Sequence, residues 1–348
     1  MKNRGCSNWF FVESPLQLIN AFEALHYFSL EHQNNIILIR RSSSDLANKQ
    51  LEKTLQLYDV SKVHIIYIGE LFPKLYFFNV VTIIFKILSQ PGKHKFYIGE
   101  YSALWARIIP FLFSKSSFIL FDDGSATIPL HQYEYDFSKY RGSSKWKKFI
   151  KAPILKLLYG GPRKVTLFTM FDLKPYPSQK VFKNSFACLK QKLREDLSDP
   201  DLVYFIGGNW VESNEVKKED YLLLLTNIFK KYIDQKKKII YIPHRKEKLE
   251  KFNGLRTMFE CSLEIIALDV PVEIYFLHKK EKPINIGGFS STALFTLDQM
   301  YSPKDLISYR IPRYMLAGNL AESTGIINSY YEACATIDFK DINVSSNR

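Results

Sequence analysis

Two adjacent carboxylates, Asp122 and Asp123, directly follow the apolar run 118–121 and precede Gly124. Such a run is typical of a strand buried in a parallel sheet. Because ligands bind beyond the carboxyl ends of the strands in open parallel sheets, a paired Asp at this position is a candidate general base. Asp-Asp-Gly is also a common turn sequence, so these residues alone leave a purely structural role open.

A histidine and an arginine leave the strand predicted over Lys238 to Ile242. His244 and Arg245 follow Pro243, and both side-chain types donate hydrogen bonds to phosphate oxygens. The guanidinium group of an arginine can donate two parallel hydrogen bonds to one phosphate group. The pair is therefore a candidate phosphate site, and a structural role of His244 in the loop is the alternative.

Glycines and hydroxyl side chains form a third cluster in the segment 285–294. Gly288 and the glycine before it allow the backbone to approach a ligand closely. Ser290, Ser291 and Thr292 add hydroxyl groups beside the free backbone N–H groups of a helix start, which predicts a phosphate cradle. The segment is neither a Walker loop nor a dinucleotide fingerprint, and a serine that only caps the helix is the alternative.

Apolar runs of strand length alternate with helix-periodic segments along the chain, which predicts a doubly wound α/β fold. Ser14-Pro15-Leu16-Gln17 opens the first helix as a capping box with proline at the first helical position. The strands are predicted at Trp9 to Val12, Asn35 to Ile39, Val63 to Ile68, Lys95 to Ile98, Ser117 to Phe121, Leu202 to Ile206, Lys238 to Ile242, Glu264 to Leu268 and Ile284 to Ile286.

A polar helix and a turn over 186–200 indicate a linker, which divides the chain into domains 1–195 and 196–348. Asp199-Pro200-Asp201 matches the D-x-D pattern of metal-dependent transferases, but its central proline, just before a strand, favours a turn. The two halves share a pattern of elements and no sequence repeat.

The chain of 348 residues carries a net charge of +13, so an anionic partner is expected. Basic side chains alternate with aromatic and aliphatic ones over 141–164, which suits peripheral contact with an anionic inner membrane. A solvated surface helix broken near Pro153 is an equally supported alternative. No nucleic-acid-binding motif accompanies the charge, so nucleic acid is not an expected partner.

The cysteines and the apolar segments predict a cytoplasmic protein without a transmembrane span. Four cysteines lie far apart, which disfavours a disulfide framework or a zinc site. The first residues lack the features of a signal peptide, and the apolar run 75–85 is too short to cross a bilayer.

The order and spacing of these clusters resemble the bacterial sialyltransferases. Asp-Asp-Gly lies in the first half of the chain, the histidine motif in the second, and Pro271-Val272-Glu273 precedes Gly-Gly-x-Ser-Ser. The resemblance is closest to glycosyltransferase family 52, the lipooligosaccharide sialyltransferases, with the capsular polysialyltransferases as relatives, and it covers nearly the whole chain. Smaller motifs agree with it: Ser14-Pro15-Leu16-Gln17, Tyr97-Ile98-Gly99-Glu100 and Phe205-Ile206-Gly207-Gly208.

This resemblance implies a GT-B fold, in which two Rossmann-like domains face each other across a cleft. The first domain would hold the acceptor and the base Asp123, and the second would bind CMP-sialic acid, with the last helix a candidate to pack back on the first domain. His244 would bind the phosphate of the departing CMP, and Glu273 its ribose or cytosine. Further substrate-binding residues implied are Ser14, Gln17, Asp122, Gly124, Gly207, Arg245, Gly288, Ser290, Ser291 and Thr292.

The implied activity is inverting, metal-independent transfer of sialic acid to a galactose-type sugar on a lipooligosaccharide or capsule glycan, at the inner face of the inner membrane. No cofactor is expected, and a homodimer is one candidate assembly. A transferase using another nucleotide sugar, such as UDP-glucose, and a non-catalytic component of surface-polysaccharide assembly are the alternatives. One motif departs from the family: proline usually follows the histidine, whereas Pro243 precedes His244, which makes Arg245 an additional candidate phosphate ligand.

Overall fold

The computed structural model describes residues 5–69, 76–90, 92–101, 112–113, 117–134, 165–177, 179–193, 198–317 and 321–342. The chain divides into two compact units, Met1–Gln191 and Lys192–Arg348. The boundary predicted between 195 and 196 lies close to this division. The basic segment 141–164 falls outside the described residues, so its contact with anionic lipid stays a prediction.

The first unit is built on parallel strands: β1 (Cys6–Val12), β2 (Asn34–Arg40), β3 (His64–Ile68), β4 (Lys93–Ile98), β5 (Ser117–Phe121), β6 (Thr166–Thr169) and β7 (Lys180–Lys183). They form one seven-stranded sheet in the order β3-β2-β1-β4-β5-β6-β7. The strand order reverses between β1 and β4, which is the topological switch point of this sheet. The described helices are α1 (Pro15–Tyr27), α2 (Asp45–Leu55), α3 (Tyr76–Leu88), α4 (Thr127–Gln132) and α5 (Ala187–Lys190).

The second unit repeats this arrangement with β8 (Leu202–Ile206), β9 (Lys238–Ile242), β10 (Leu263–Ile265), β11 (Asn285–Gly288), β12 (Asp305–Arg310) and β13 (Asp338–Asp341). Its six-stranded sheet is also parallel, in the order β10-β9-β8-β11-β12-β13, with the switch point between β8 and β11. The described helices are α6 (Lys218–Asp234), α7 (Asn253–Met258), α8 (Val272–Lys279), α9 (Thr292–Tyr301) and α10 (Ala321–Ala333). The predicted doubly wound α/β fold is confirmed.

Continuous apolar runs become strands because both faces of each sheet are covered. In β1, Trp9, Phe10, Phe11 and Val12 are each at most 1% exposed. The chain then turns into α1, where the Ser14 hydroxyl caps the helix by accepting from the Gln17 backbone N–H at 3.3 Å. The strand end and the first helical turn are thus fixed relative to each other.

Aromatic side chains fill the cores of both units. The largest fully buried side chains are all aromatic, and they include Trp9 in the first unit and Tyr241 in the second. Phe205 on β8 lies at the centre of one such group, with the ring centres of Phe229 and Phe289 5.4 and 5.5 Å away. The high aromatic content therefore serves packing, which holds the strand ends in place. Among the described helices, none is long and apolar enough to cross a membrane.

Candidate active site

Acidic side chains gather at the carboxyl edge of the first sheet, beside its switch point. Glu13 directly follows β1, Glu100 follows β4, and Asp122 and Asp123 follow β5. These three strands are neighbours, and Ile98 of β4 pairs with Phe11 of β1 and with Leu120 of β5. The parallel register therefore brings the acidic side chains to one place on the sheet edge.

Asp123 is held by Gln17 and paired with Glu100. Its Oδ1 accepts from Gln17 Nε2 at 2.7 Å. Burial is the largest cause that raises the pKa of Asp123 well above its usual range, followed by the charge of Glu100 and a hydrogen bond with that side chain. The negative charge of Glu100 disfavours a second negative charge beside it, so it favours the protonated form of Asp123.

A further carboxylate, that of Glu13, lies near Asp123 and forms an ion pair. Glu13 also raises the pKa of Asp123, but its own carboxylate pairs with Arg40, whose Nη1 lies 2.9 Å from Oε1. Gly124, with a φ of 66°, supplies the left-handed turn that follows the pair of aspartates. The short 3-10 turn Gly124–Ala126 then leads into α4.

Gln17 crosses the end of β4 to reach Asp123, and Gly99 makes this crossing feasible. Gln17 is 1% exposed, and its Oε1 accepts from the Glu13 backbone N–H at 2.7 Å. A Cβ atom at position 99 would lie 2.6 Å from the Gln17 Cδ atom, which is closer than packed atoms allow. Gln17 and Gly99 are therefore positioning residues for Asp123.

Asp122 is tied into the protein interior. It is fully buried, and its two carboxylate oxygens accept from the Thr169 hydroxyl at 2.6 Å and from the Met170 backbone N–H at 2.7 Å. Its backbone carbonyl accepts from Asn20 Nδ2 at 3.1 Å. Burial raises the pKa of Asp122 to about 7. These contacts connect the ends of β5 and β6, and they give Asp122 a role distinct from that of Asp123.

In the second unit, His244 lies on the loop that follows β9. Its backbone N–H donates to Glu247 Oε2 at 2.7 Å, and its Nδ1 accepts from the Lys246 backbone N–H at 3.2 Å. Burial, then the positive charges of Arg245 and Lys246, lower the pKa of His244 to about 4. At neutral pH the imidazole is therefore uncharged, with its single proton on Nε2 as a hydrogen-bond donor.

The serine pair follows β11 in a strained turn. Ser290 has a φ of 34°, a region that side-chain-bearing residues rarely adopt and that recurs at functional sites. Its backbone N–H donates to Ser308 Oγ at 3.1 Å, and its hydroxyl donates to Asn328 Oδ1 at 2.9 Å. Ser291 caps α9 by accepting from the Ala293 backbone N–H at 3.4 Å. Ser291 is therefore the N-cap residue of α9, as the structural alternative predicts, and Thr292 is the first residue of the helix.

Glu273 packs beside α9. It lies in the first turn of α8, is 7% exposed and accepts from the Thr296 hydroxyl at 2.5 Å. Tyr301 donates to the Glu273 backbone carbonyl at 3.1 Å. Burial raises the pKa of Glu273. The structure thus places this predicted nucleotide ligand against the helix that Ser291 caps.

Two glycines of the predicted site are positions of close approach. A Cβ atom at Gly207, just after β8, would lie 2.3 Å from Glu247 Oε2, and one at Gly288 would lie 3.0 Å from the Ile206 carbonyl oxygen.

Within the described ranges, no group of three His, Cys, Asp or Glu side chains is arranged to hold a metal ion.

Sequence reasoning missed Glu100 and Glu247 as functional candidates. Glu100 was visible only as part of Tyr97-Ile98-Gly99-Glu100, and Glu247 as one acid in a charged loop. Their importance lies in partners, Asp123 and the His244 backbone, that the sequence does not show.

Solved structures with the same fold include nucleotide-sugar enzymes. UGT89C1 from Arabidopsis thaliana, complexed with UDP-L-rhamnose, matches with a TM-score of 0.53 and 10% identity over 99% of this chain and 86% of that one. UDP-GlcNAc 2-epimerase from Methanocaldococcus jannaschii matches with a TM-score of 0.52 and 11% identity over 97% and 89%. The S. aureus MnaA-UDP co-structure matches with a TM-score of 0.56 and 11% identity over 97% and 85%. At such low identity the likeness shows the fold alone, and the predicted GT-B fold is confirmed.

A sequence profile described as Alpha-2,8-polysialyltransferase (POLYST) matches residues 10–310. This range contains Asp123, His244 and Ser290. No curated protein sequence matches the chain. The predicted relation to sialyltransferases is confirmed through the polysialyltransferase branch, while the closer relation to glycosyltransferase family 52 stays a prediction. Because the profile covers most of the chain, this protein belongs to the alpha-2,8-polysialyltransferase family.

Proposed function

We propose that the protein transfers sialic acid from CMP-sialic acid to a hydroxyl group of a bacterial surface glycan, with inversion at the anomeric carbon. Membership of a polysialyltransferase family supports a glycosyltransferase of this class. The galactose-type sugar is one candidate acceptor. The α2,8 linkage in the family's description makes a terminal sialic acid a second candidate acceptor. The glycan belongs to a lipooligosaccharide or a capsule.

The observation that carries the proposal is the position of Asp123 at the carboxyl end of β5, where Gln17 holds its carboxylate and its pKa is raised. A carboxylate with a raised pKa is a stronger base than an ordinary aspartate, and a base works best when its pKa approaches the working pH. Gln17 fixes Oδ1 of this group at 2.7 Å, and the negative charge of Glu100 helps to raise its pKa. Such an arrangement suits removal of a proton from a sugar hydroxyl.

The transfer forms one bond and breaks one. The acceptor oxygen attacks the anomeric carbon of sialic acid from the face opposite CMP, and the bond from that carbon to the phosphate oxygen breaks, with its electron pair leaving on CMP. The hydroxyl proton moves to the ionised carboxylate of Asp123, which becomes a neutral carboxyl group. Attack from the opposite face accounts for inversion, and the transition state has oxocarbenium character.

The second unit supplies hydrogen-bond donors for the leaving phosphate. His244 carries its proton on Nε2, and Ser291 lies at the N-terminus of α9, where the helix dipole favours an anion. Preorganised donors stabilise the charge that develops on the departing CMP. Arg245 adds a positive charge on the same loop. Since His244 is neutral, it assists departure as a hydrogen-bond donor rather than as a protonated acid.

The direct test is incubation with CMP-sialic acid and a panel of lactose-type and sialyllactose-type acceptors, with and without chelator, followed by mass spectrometry. We expect one or more sialic acid residues on the acceptor and an equal amount of free CMP, in the presence of chelator as well. Loss of transfer with chelator would contradict the metal-free mechanism. Unchanged transfer by Asp123→Ala would exclude Asp123 as the base.

Nucleotide binding separates the proposed donor from the alternatives. A ligand that binds only the folded state raises the melting temperature, so CMP should stabilise the protein more than UDP does. Stabilisation by UDP alone would favour a different nucleotide sugar. Binding of CMP without any transfer would favour a non-catalytic component of glycan assembly.

A further inference from the structure

A buried polar network lies under the loops that follow β8 and β9. At its centre is Glu247, which is 8% exposed although it carries a carboxylate. Oε2 of Glu247 accepts from the His244 backbone N–H at 2.7 Å, and Oε1 accepts from the Tyr241 hydroxyl at 2.9 Å. One side chain thus connects the His244 loop to the strand that precedes it.

Lys251 supplies a positive charge between two carboxylates of this network. Its Nζ lies 2.9 Å from Glu247 Oε1 and 3.0 Å from Glu212 Oε1, and the side chain is 5% exposed. The same Nζ stands 5.0 Å from the ring centre of Tyr221. Glu212 also accepts from the Lys248 backbone N–H at 3.0 Å, which anchors the far side of the His244 loop.

The network continues to the loop after β8 through two phenols. The hydroxyls of Tyr221 and Tyr241 lie 3.0 Å apart, and the Gly208 backbone N–H donates to the Tyr221 hydroxyl at 3.3 Å. Gly207 leaves the space that Glu247 occupies, because a Cβ atom there would lie 2.3 Å from Oε2 and 2.5 Å from the Tyr241 hydroxyl oxygen. Hydrogen bonds therefore run unbroken from Gly208 to His244.

Stability alone does not account for this arrangement. Burying an ion pair is costly, and replacing such pairs by well-packed apolar side chains is often neutral or stabilising. A network of this kind instead fixes one geometry for the groups that it binds. Here those groups are the backbone N–H groups of His244 and Gly208, on the loops that follow the neighbouring strands β9 and β8.

We propose that Glu247 is a positioning residue: together with Tyr241 and Lys251 it holds the β8 loop and the His244 loop in the one arrangement that binds the phosphate of the donor nucleotide. This inference rests on the proposed function, since it names His244 as a phosphate ligand. Glu247 acts through the backbone N–H of His244 and not by contact with the reacting atoms.

The test compares two matched substitutions and one direct substitution. Tyr241→Phe removes the hydroxyl that reaches Glu247, and Tyr309→Phe removes one that donates to Tyr232 at 2.9 Å, a pair outside this network. Both changes delete one buried phenol oxygen from a strand of the same unit, so both should lower the melting temperature by a few degrees. Glu247→Gln keeps the shape of the central side chain and removes its charge.

Affinity for CMP, measured by calorimetry on the full chain, is the first readout. We expect CMP to bind about tenfold more weakly to Glu247→Gln and several-fold more weakly to Tyr241→Phe, because loss of one preorganised polar contact is worth roughly 1 kcal/mol or more. Tyr309→Phe should bind CMP as the wild type does. Equal CMP affinity in Tyr241→Phe and Tyr309→Phe would overturn the proposal.

The pKa of His244, followed by NMR of the imidazole resonances, is a second readout that needs no ligand. The seven histidines are few enough for assignment with a His244→Gln variant. In the wild type the pKa of His244 is lowered to about 4 by burial. Tyr241→Phe should loosen the loop and raise this pKa toward the ordinary value of about 6.5, and Tyr309→Phe should not.

The two readouts separate the inference from the proposed function. If wild-type protein does not bind CMP, the proposed donor is wrong, and the pKa comparison alone decides whether the network positions His244. If CMP binds and the pKa of His244 is the same in both tyrosine variants, the network has no positioning role.

Discussion

The two units share an architecture but carry opposite chemistry at the carboxyl edges of their sheets. In the first unit, Glu100 and Asp123 place two carboxylates near each other. In the second, His244 and Ser290 place an imidazole N–H and a hydroxyl group, which are hydrogen-bond donors. Burial is the largest cause of the pKa shift of both Asp123 and His244, and in both it disfavours the charged form. For a carboxyl group this produces a stronger base, whereas for an imidazole it produces a neutral donor. The fold places both side chains at the carboxyl edge of a parallel sheet. The type of side chain then decides whether burial raises or lowers its pKa.

Removing Asp123 should have the largest effect on this comparison. Asp123→Ala deletes the base, and general-base catalysis typically contributes about 10² to 10⁴ in rate, so kcat should fall by that factor. At neutral pH the variant should lose less stability than Asp122→Ala does, because only the Gln17 amide loses its acceptor. The raised pKa of Asp123 favours folding only at low pH, and this contribution is lost as the pH rises through that pKa.

Asp122→Ala is the matched substitution one residue away. It leaves the Met170 N–H and the Thr169 hydroxyl without their partner, which should lower the free energy of unfolding by about 1–3 kcal/mol. The two variants should therefore differ in opposite ways. Asp122→Ala should have the lower melting temperature, and Asp123→Ala should have the lower kcat. The assignment of the base would be reversed if Asp122→Ala, corrected for folded fraction, lost more activity.

On the donor side, His244→Ala should lower kcat/KM by about 100-fold, as expected for loss of one preorganised donor to developing charge. Because the pKa of His244 is about 4, its charge does not change between pH 5.5 and 8. The variant should be slower by the same factor throughout this range. An exposed histidine of the same unit, His278, gives the control His278→Ala, which should retain full activity. A pH-dependent loss in His244→Ala would mean that the histidine acts as an acid.

The sequence contained the strands and the location of the site, but not the partners of its residues. β5, β8 and β9 were predicted residue for residue because each is an apolar run that ends in polar residues. β6, β7, β12 and β13 were not predicted. Of these, β7 (Lys-Val-Phe-Lys) and β13 (Asp-Phe-Lys-Asp) are edge strands, whose charged residues interrupt the apolar pattern. Glu100 becomes a partner of Asp123 only once β4 and β5 pair in register, which no local pattern reveals.

A glycine substitution tests the support of Asp123 without changing its charge. Gly99→Ala places a Cβ atom 2.6 Å from Gln17 Cδ and should displace the amide that holds Asp123. We expect kcat to fall about tenfold, because misplacement of a catalytic group by an ångström is costly. The control is Gly254→Ala in α7, where a Cβ atom meets nothing within 4 Å. Equal rates in the two alanine variants would show that Gln17 does not position the base.

The smallest expected effect is the most specific to the carboxylate pair. Glu100→Gln removes a negative charge near Asp123 and introduces an amide that can donate a hydrogen bond, and both changes favour the ionised form of Asp123. The pKa of Asp123 should therefore fall toward the ordinary range, and the acidic limb of the kcat–pH profile should move to lower pH. A base of lower pKa is also a weaker base, so the plateau rate above that limb should drop several-fold. If the limb stays in place while the plateau falls, Glu100 contributes to substrate binding and not to the protonation of Asp123, and the contrast between the two sheet edges would then rest on burial alone.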